Sequence, residues 1–100
     1  MPVFGSPFSG LVNKRKLTKE ELIRTIRFAV ASEIEAAQVY MQIAESIDNK
    51  LAGKVLKDVA DEERVHIGEF LRLLSELAPD EEKFYANGAK EVEAIIEKMK

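Results

Sequence analysis

The sequence contains no cysteine, and this absence excludes several kinds of site. Without thiols the chain has no disulfide, no zinc held by thiolates and no cysteine-ligated iron–sulfur cluster. The absence suits a reducing compartment, and we expect a cytoplasmic protein. A basic surface is also missing, because 18 acidic residues outnumber 15 basic residues. Nucleic acid is therefore not an expected partner.

Long apolar runs are missing as well. Pro2, Gly5, Pro7 and Gly10 interrupt the apolar N-terminal segment well before it reaches the length of a signal-peptide core or a membrane span, so we expect no membrane partner. The composition is 46% hydrophobic and 33% charged, and it is rich in alanine, glutamate, lysine, leucine and isoleucine. This composition is typical of an all-α protein, and no sheet is indicated.

Helix signals divide the chain into three parts. Residues 1–17 are predicted to be an irregular leader, because their apolar residues follow no period. Residues 18–78 are predicted to form a hairpin of two long antiparallel helices. Residues 79–100 are predicted to be a C-terminal helical segment, with a short helix over residues 79–87, a break at Gly88 and an amphipathic helix over residues 89–99.

Local signals predict where the two long helices begin and end. Thr18 opens the first helix, because Thr18 and Glu21 have the spacing of a capping box. We expect this helix to run to about Ile47. Asp48 and Asn49 then supply a turn and an N-cap for the second helix, which ends before Pro79. The connection is too short for anything but a helical hairpin.

The second helix carries a heptad seam in which two positions hold metal-capable side chains, Glu63 and His66. Residues three apart on a helix project from adjacent turns of one face, so both can reach one ion or two neighbouring ions. A carboxylate buried there without a partner would cost several kcal/mol. The seam consists of Ala52, Leu56, Val59, Glu63, His66, Phe70, Leu73 and Leu77.

The first helix repeats the pattern, with Glu33 in its apolar stripe. Tyr40 lies two turns further along the same face, where it can hydrogen-bond a ligating carboxylate or pack beside it. Glu35 and Glu62 fall outside the two stripes, and they belong either to a solvated or inter-dimer face or to a path for ion transit. The stripe consists of Leu22, Ile26, Ala29, Glu33, Ala37, Tyr40, Ala44 and Ile47.

A two-helix hairpin leaves its apolar stripes half covered, so we expect a homodimer that completes a four-helix bundle. Di-iron carboxylate bundles use a glutamate from each of two helices and a Glu-x-x-His motif from each of the other two, and one chain carries half of that set. A two-fold dimer would place Glu33, Glu63 and His66 with their mates around two metal ions. Oxygen and imidazole ligands favour iron, manganese or zinc, and we predict iron as the redox metal.

The segments EIEAAQVY (residues 33–40) and DEERVH (residues 61–66) resemble the ferritin-like superfamily, and most closely the encapsulated ferritins of encapsulin nanocompartments. The resemblance covers residues 22–77, with one hairpin in place of the four-helix chain of ordinary ferritins. It implies that Glu33, Glu63 and His66 bind iron across a dimer interface, that Tyr40 lies beside these ligands, and that dimers build a ring-shaped decamer. It also implies an encapsulin shell as partner.

Together these observations predict a ferroxidase that oxidises Fe(II) to Fe(III) with dioxygen, for iron storage or detoxification. A dimer cannot enclose a mineral, so storage needs a larger shell, and we expect the protein inside an encapsulin nanocompartment. Two alternatives stay open. One is a rubrerythrin-like peroxidase that uses the same di-iron centre. The other is a non-enzymatic helical oligomerisation module in which the glutamates and the histidine form a structural zinc site or a salt-bridge network.

Overall fold

The computed structural model describes residues 14–100. Three helices follow one another in this range: α1 over Lys19–Glu45, α2 over Lys50–Leu77 and α3 over Pro79–Met99. The described range contains no strand, which confirms the all-helical class. Residues 14–17 of the predicted leader are not helical, and residues 1–13 lie outside the described range. None of the helices found over residues 14–100 is both long enough and apolar enough to cross a membrane.

The predicted capping box at the start of α1 is confirmed. The Thr18 hydroxyl accepts a hydrogen bond from the Glu21 backbone N–H at 3.2 Å, and a Glu21 carboxylate oxygen accepts one from the Thr18 backbone N–H at 2.9 Å. Arg15 donates two further hydrogen bonds of 2.7 Å to the same carboxylate. The Arg15 guanidinium and the Thr18 backbone together lower the pKa of Glu21 to about 2.

The connection between α1 and α2 is short, as predicted, and it makes the two helices antiparallel neighbours. α1 ends at Glu45, close to the predicted Ile47, and Asn49 caps α2 by accepting a hydrogen bond from the Ala52 backbone N–H at 2.9 Å. Small side chains let the two helices approach closely along their length. The residues buried in the hairpin are Ile26, Ala36, Ala37, Ala44, Ala60 and Leu74.

The seam predicted for α2 is not the face that packs most tightly against α1. Ala60 and Leu74 are the buried residues of α2, and neither belongs to the predicted seam. Two seam members, His66 and Leu73, are instead exposed in the single chain. α2 therefore has two apolar faces, and the one that carries His66 is left open by the packing within this chain.

α3 corrects a prediction, because the expected break at Gly88 is wrong. The helix continues from Pro79 to Met99 with Gly88 in its interior. A glycine inside a helix costs only about 1 kcal/mol relative to alanine, and the good helix formers around Gly88 offset this cost. Pro79 is tolerated because a residue in the first turn needs no N–H for the helix ladder.

Three side chains fasten α3 to α1. Arg27 donates hydrogen bonds from Nε, at 3.2 Å, and from a terminal guanidinium nitrogen to the carboxylate of Glu81. Tyr85 donates a hydrogen bond of 2.5 Å to the same carboxylate. The Arg27 hydrogen bond lowers the pKa of Glu81, and the Glu81 carboxylate raises the pKa of Tyr85. Beyond this attachment α3 exposes Phe84, Val92, Ile95, Ile96 and Met99.

Candidate metal centre

The structure brings the three predicted ligands together. Glu33 comes from α1, whereas Glu63 and His66 stand one turn apart on α2, and each offers a ligand atom within 4.8 Å of the others. His66 Nδ1 lies 3.7 Å from Glu33 Oε2 and 3.8 Å from Glu63 Oε1. These separations are longer than hydrogen bonds. They suit an ion that holds nitrogen and oxygen ligands at about 2 Å each.

One carboxylate oxygen of the cluster has no hydrogen-bond partner among the described residues. Glu33 Oε2 is buried and makes no hydrogen bond within the described residues, although the Glu33 side chain as a whole is 24% exposed. A buried carboxylate oxygen without a partner raises the free energy of the folded chain. A cation between Glu33, Glu63 and His66 would remove this penalty. The cluster therefore fits a metal ion better than it fits a self-contained hydrogen-bond network.

The donor set restricts which ions the cluster suits. Two carboxylates offer hard oxygen ligands, and the imidazole adds a nitrogen of intermediate softness, a combination that suits iron, manganese and zinc. Because the chain has no cysteine, no thiolate competes for these ions. Within residues 14–100 this is the one group of three or more such side chains with a ligand geometry.

The cluster opens on the face of α2 that packing within the chain leaves uncovered. The side chain of His66 is 48% exposed, whereas those of Glu63 and Glu33 are 19% and 24% exposed. We expected the apolar stripes of the hairpin to be half covered within one chain, and the exposure of His66 agrees with this expectation. Sequence reasoning missed the second apolar face of α2, which periodicity could have indicated, since Ala60 and Leu74 also recur at helical spacing.

The other predicted site residues lie outside the cluster. Tyr40 is half-buried on α1, and no hydrogen bond in the described part of the chain joins it to the three ligands. Its position beside a ligating carboxylate stays a prediction. Glu62 is exposed, and Glu35 is half-buried and already engaged in an interaction. Their role in ion transit also stays a prediction.

Comparisons with known proteins agree with one another. A sequence model of the family Rubrerythrin matches residues 25–99. The chain is similar to a ferritin-like–encapsulin shell fusion protein of Pyrococcus furiosus, at 38% identity over 86 residues, which are 85% of this chain and 25% of that protein. It is also similar to the encapsulin nanocompartment cargo protein EncC of Myxococcus xanthus, at 38% identity over 76 residues, covering 76% of this chain and 58% of that protein.

A solved structure extends this similarity to three dimensions. The crystal structure of the encapsulated ferritin domain from Pyrococcus furiosus superposes with a TM-score of 0.81 at 33% identity, over 93% of this chain and 94% of that one. The chain thus corresponds to nearly the whole of that domain. It spans only 25% and 58% of the lengths of the two curated relatives.

Proposed function

Because the chain belongs to the Rubrerythrin family of ferritin-like proteins and matches an encapsulated ferritin domain, we propose that it is a ferroxidase acting at a di-iron centre shared by two copies. The family itself suggests an iron-related oxidoreductase. The observation that carries the finer proposal is the cluster of Glu33, Glu63 and His66, with its unpartnered carboxylate oxygen and its open side. Fe(II) is the substrate, and dioxygen is the oxidant.

The open side of the cluster is the reason for proposing two copies. A single chain supplies two carboxylates and one imidazole, too few to hold a pair of iron ions. A two-fold axis beside His66 would add the same three side chains from a second copy. The completed set would contain four carboxylates and two imidazoles. It would also bury the exposed face of α2, which includes Leu73.

Each ligand type has its own task in this proposal. Two Fe(II) ions lose one electron each, and dioxygen accepts both electrons. The carboxylates of Glu33 and Glu63 offset the additional positive charge and can change between terminal and bridging positions. The His66 imidazole, on the rigid α2, holds its ion at a fixed place. The low polarity of the covered seam would keep bulk water away from the ions.

The similarity to encapsulin cargo proteins supports an encapsulin shell as the partner and the inside of a nanocompartment as the location. A pair of chains cannot enclose a mineral, so the oxidised iron would be stored in such a shell. We further propose that pairs of chains assemble into a larger ring, with a decamer as the expected form. This chain would then oxidise the iron, and the shell would store it.

Aerobic oxidation of Fe(II) by the purified chain tests the proposal. The wild type should accelerate oxidation over buffer, and Glu63→Ala should lose at least about tenfold of that acceleration, because each copy would lose one of its two proposed carboxylate ligands. Glu69→Ala is the matched control, since Glu69 is an acidic residue of the same helix and is exposed outside the cluster. Equal rates for the wild type and Glu63→Ala would refute the proposal.

The same samples separate the ferroxidase from a peroxidase that uses the same site. If hydrogen peroxide reoxidises the iron-loaded protein much faster than dioxygen does, the rubrerythrin-like peroxidase replaces the ferroxidase. If neither oxidant reacts faster than in buffer, the cluster is a structural metal site, and the chain is an oligomerisation module.

A further inference from the structure

The most deeply buried residue of the described chain lies one turn from the candidate metal centre. Ala60 on α2 has an exposed fraction of 0%, and it precedes Glu63 by three residues. This separation is about 4.5 Å along the helix axis. On α1, Ala36 and Ala37 are each 5% exposed, and they follow Glu33 by three and four residues. Both helices that supply ligands therefore bury alanine one turn away from their glutamate.

These alanines lie at the same height between the two antiparallel helices. Glu33 stands twelve residues before the end of α1, and Glu63 stands thirteen residues after the start of α2, in agreement with their meeting in one cluster. Ala36 and Ala60 stand nine and ten residues from the same two helix ends. Ala36, Ala37 and Ala60 therefore form one layer, the alanine layer, on the side of the cluster that faces the hairpin turn.

The side chains of a layer set the distance between its helices. Packed helices lie about 8–10 Å apart, and the smallest side chains give the shortest distances. Closer to the turn the helices meet without large side chains, since a Cβ atom built on Gly53 would lie 3.9 Å from the backbone carbonyl oxygen of Ala44. Beyond the cluster the buried residues are larger, namely Ile26 and Leu74. The metal ligands thus come directly after the part of the hairpin that small residues hold together.

The cluster tolerates little change in this distance. His66 Nδ1 and Glu33 Oε2, on different helices, lie 3.7 Å apart. Two ligand atoms that bind the same ion at about 2.0–2.2 Å each can be no more than about 4.4 Å apart. An outward shift of α2 by about 1 Å would therefore exceed the reach of one ion. Glu33 Oε2 is buried, which limits how far its carboxylate can follow.

We propose that Ala60 is a positioning residue of the metal centre: its methyl group keeps α1 and α2 at the distance at which Glu33 and His66 bind the same ion. This inference rests on the metal site of the proposed function, and it adds a residue that touches no ion but determines the affinity. Because Ala60 is already fully buried within the chain, the proposed pairing of two copies does not change its surroundings.

Co(II) titration of the metal-free full chain tests this role, because Co(II) accepts the same nitrogen and oxygen ligands and its visible absorption reports their number and geometry. Ala60→Val adds two methyl groups to the alanine layer. Ala44→Val is the matched control, since Ala44 is also a buried alanine of the hairpin, 8% exposed and about 16 Å along α1 from Glu33. Overpacking destabilises both variants. Circular dichroism first confirms that each is helical.

Ala60→Val should bind Co(II) at least about tenfold more weakly than the wild type and should change the absorption spectrum of bound Co(II), because misplacing a ligand by about 1 Å is costly. Ala44→Val should bind within about twofold of the wild type and keep its spectrum. If Ala60→Val is not helical, Ala60→Ser replaces it. The serine adds one atom to the layer and should weaken binding at least about threefold.

Equal affinities of the Ala60 variant and the wild type would overturn this inference and leave the ferroxidase proposal intact. A similar loss in Ala44→Val would also overturn it, because the loss would then follow from general instability of the hairpin. A wild type that binds no Co(II) would overturn this inference together with the proposed metal centre.

Discussion

Glu33 Oε2 on α1 and His66 Nδ1 on α2 lie 3.7 Å apart across the hairpin, and the glutamate oxygen has no hydrogen-bond partner in the described chain. Folding of the hairpin alone is therefore enough to bring the three predicted ligands together. It also leaves a carboxylate oxygen buried without compensation. The unpartnered carboxylate lowers the stability of the metal-free fold. In our proposal the carboxylate is kept because it binds metal.

The first prediction concerns this stability cost. Glu33→Leu should raise the free energy of unfolding of the metal-free protein by about 1–3 kcal/mol, because an apolar side chain of similar size replaces the unpartnered carboxylate. Urea unfolding in the presence of a chelator measures it. Added Fe(II) under anaerobic conditions should then stabilise the wild type and leave Glu33→Leu unchanged.

Glu62→Leu is the control for this prediction. Glu62 is exposed and lies outside the cluster, so its substitution should change the free energy of unfolding by no more than about 0.5 kcal/mol. A metal-free Glu33→Leu variant that is less stable than the wild type would contradict our account, because the carboxylate would then be stabilising without metal.

The second prediction concerns pH. The pKa of Glu21 is about 2 in the folded chain, below the ordinary value of 4.5, chiefly because Arg15 donates hydrogen bonds to it. A lowered carboxyl pKa contributes stability that is complete above the ordinary value and is lost as the pH falls from about 4.5 through about 2. Arg15→Ala should move the NMR titration midpoint of Glu21 upward, while Arg72→Ala should not move it. An unchanged midpoint in Arg15→Ala would show that Arg15 does not hold this carboxylate in solution.

The third prediction concerns Gly88, whose position in the middle of α3 leaves open space where a Cβ atom would be. Gly88→Ala should stabilise α3 by about 0.5–1 kcal/mol, because alanine loses less backbone entropy than glycine in a helix. Slower amide hydrogen exchange within α3 measures the gain. Gly68→Ala, at a similarly open position in α2, should leave exchange in α3 unchanged. Faster exchange in Gly88→Ala would indicate that Gly88 is needed for a contact with another chain.

Much of the hairpin could be predicted from sequence, because its determinants are local. The capping box of Thr18 and Glu21 fixes the start of α1, and Asn49 caps α2 as expected. The spacing of Glu63 and His66 places both on one helix face before any tertiary contact forms. The resemblance to encapsulated ferritins is likewise confirmed by the solved structure that superposes on this chain.

The errors arose where local signals compete with packing. A glycine breaks a helix only when its neighbours do not favour the helix, so Gly88 alone could not end α3. Periodicity finds apolar stripes but cannot say which stripe packs within a chain, and for this reason the buried residues Ala60 and Leu74 of α2 were missed. The pairing of Arg27 with Glu81 joins distant parts of the sequence, and no local pattern marks it.

Native mass spectrometry of the anaerobic protein with added Fe(II) tests the central claim most directly, because it counts chains and ions in the same particle. A site shared by two copies predicts species with an even number of chains and two iron ions for every two chains. Glu63→Ala should show neither the ions nor the iron-dependent gain in mass. Iron bound at full occupancy by a single chain, with no change in assembly, would contradict the account.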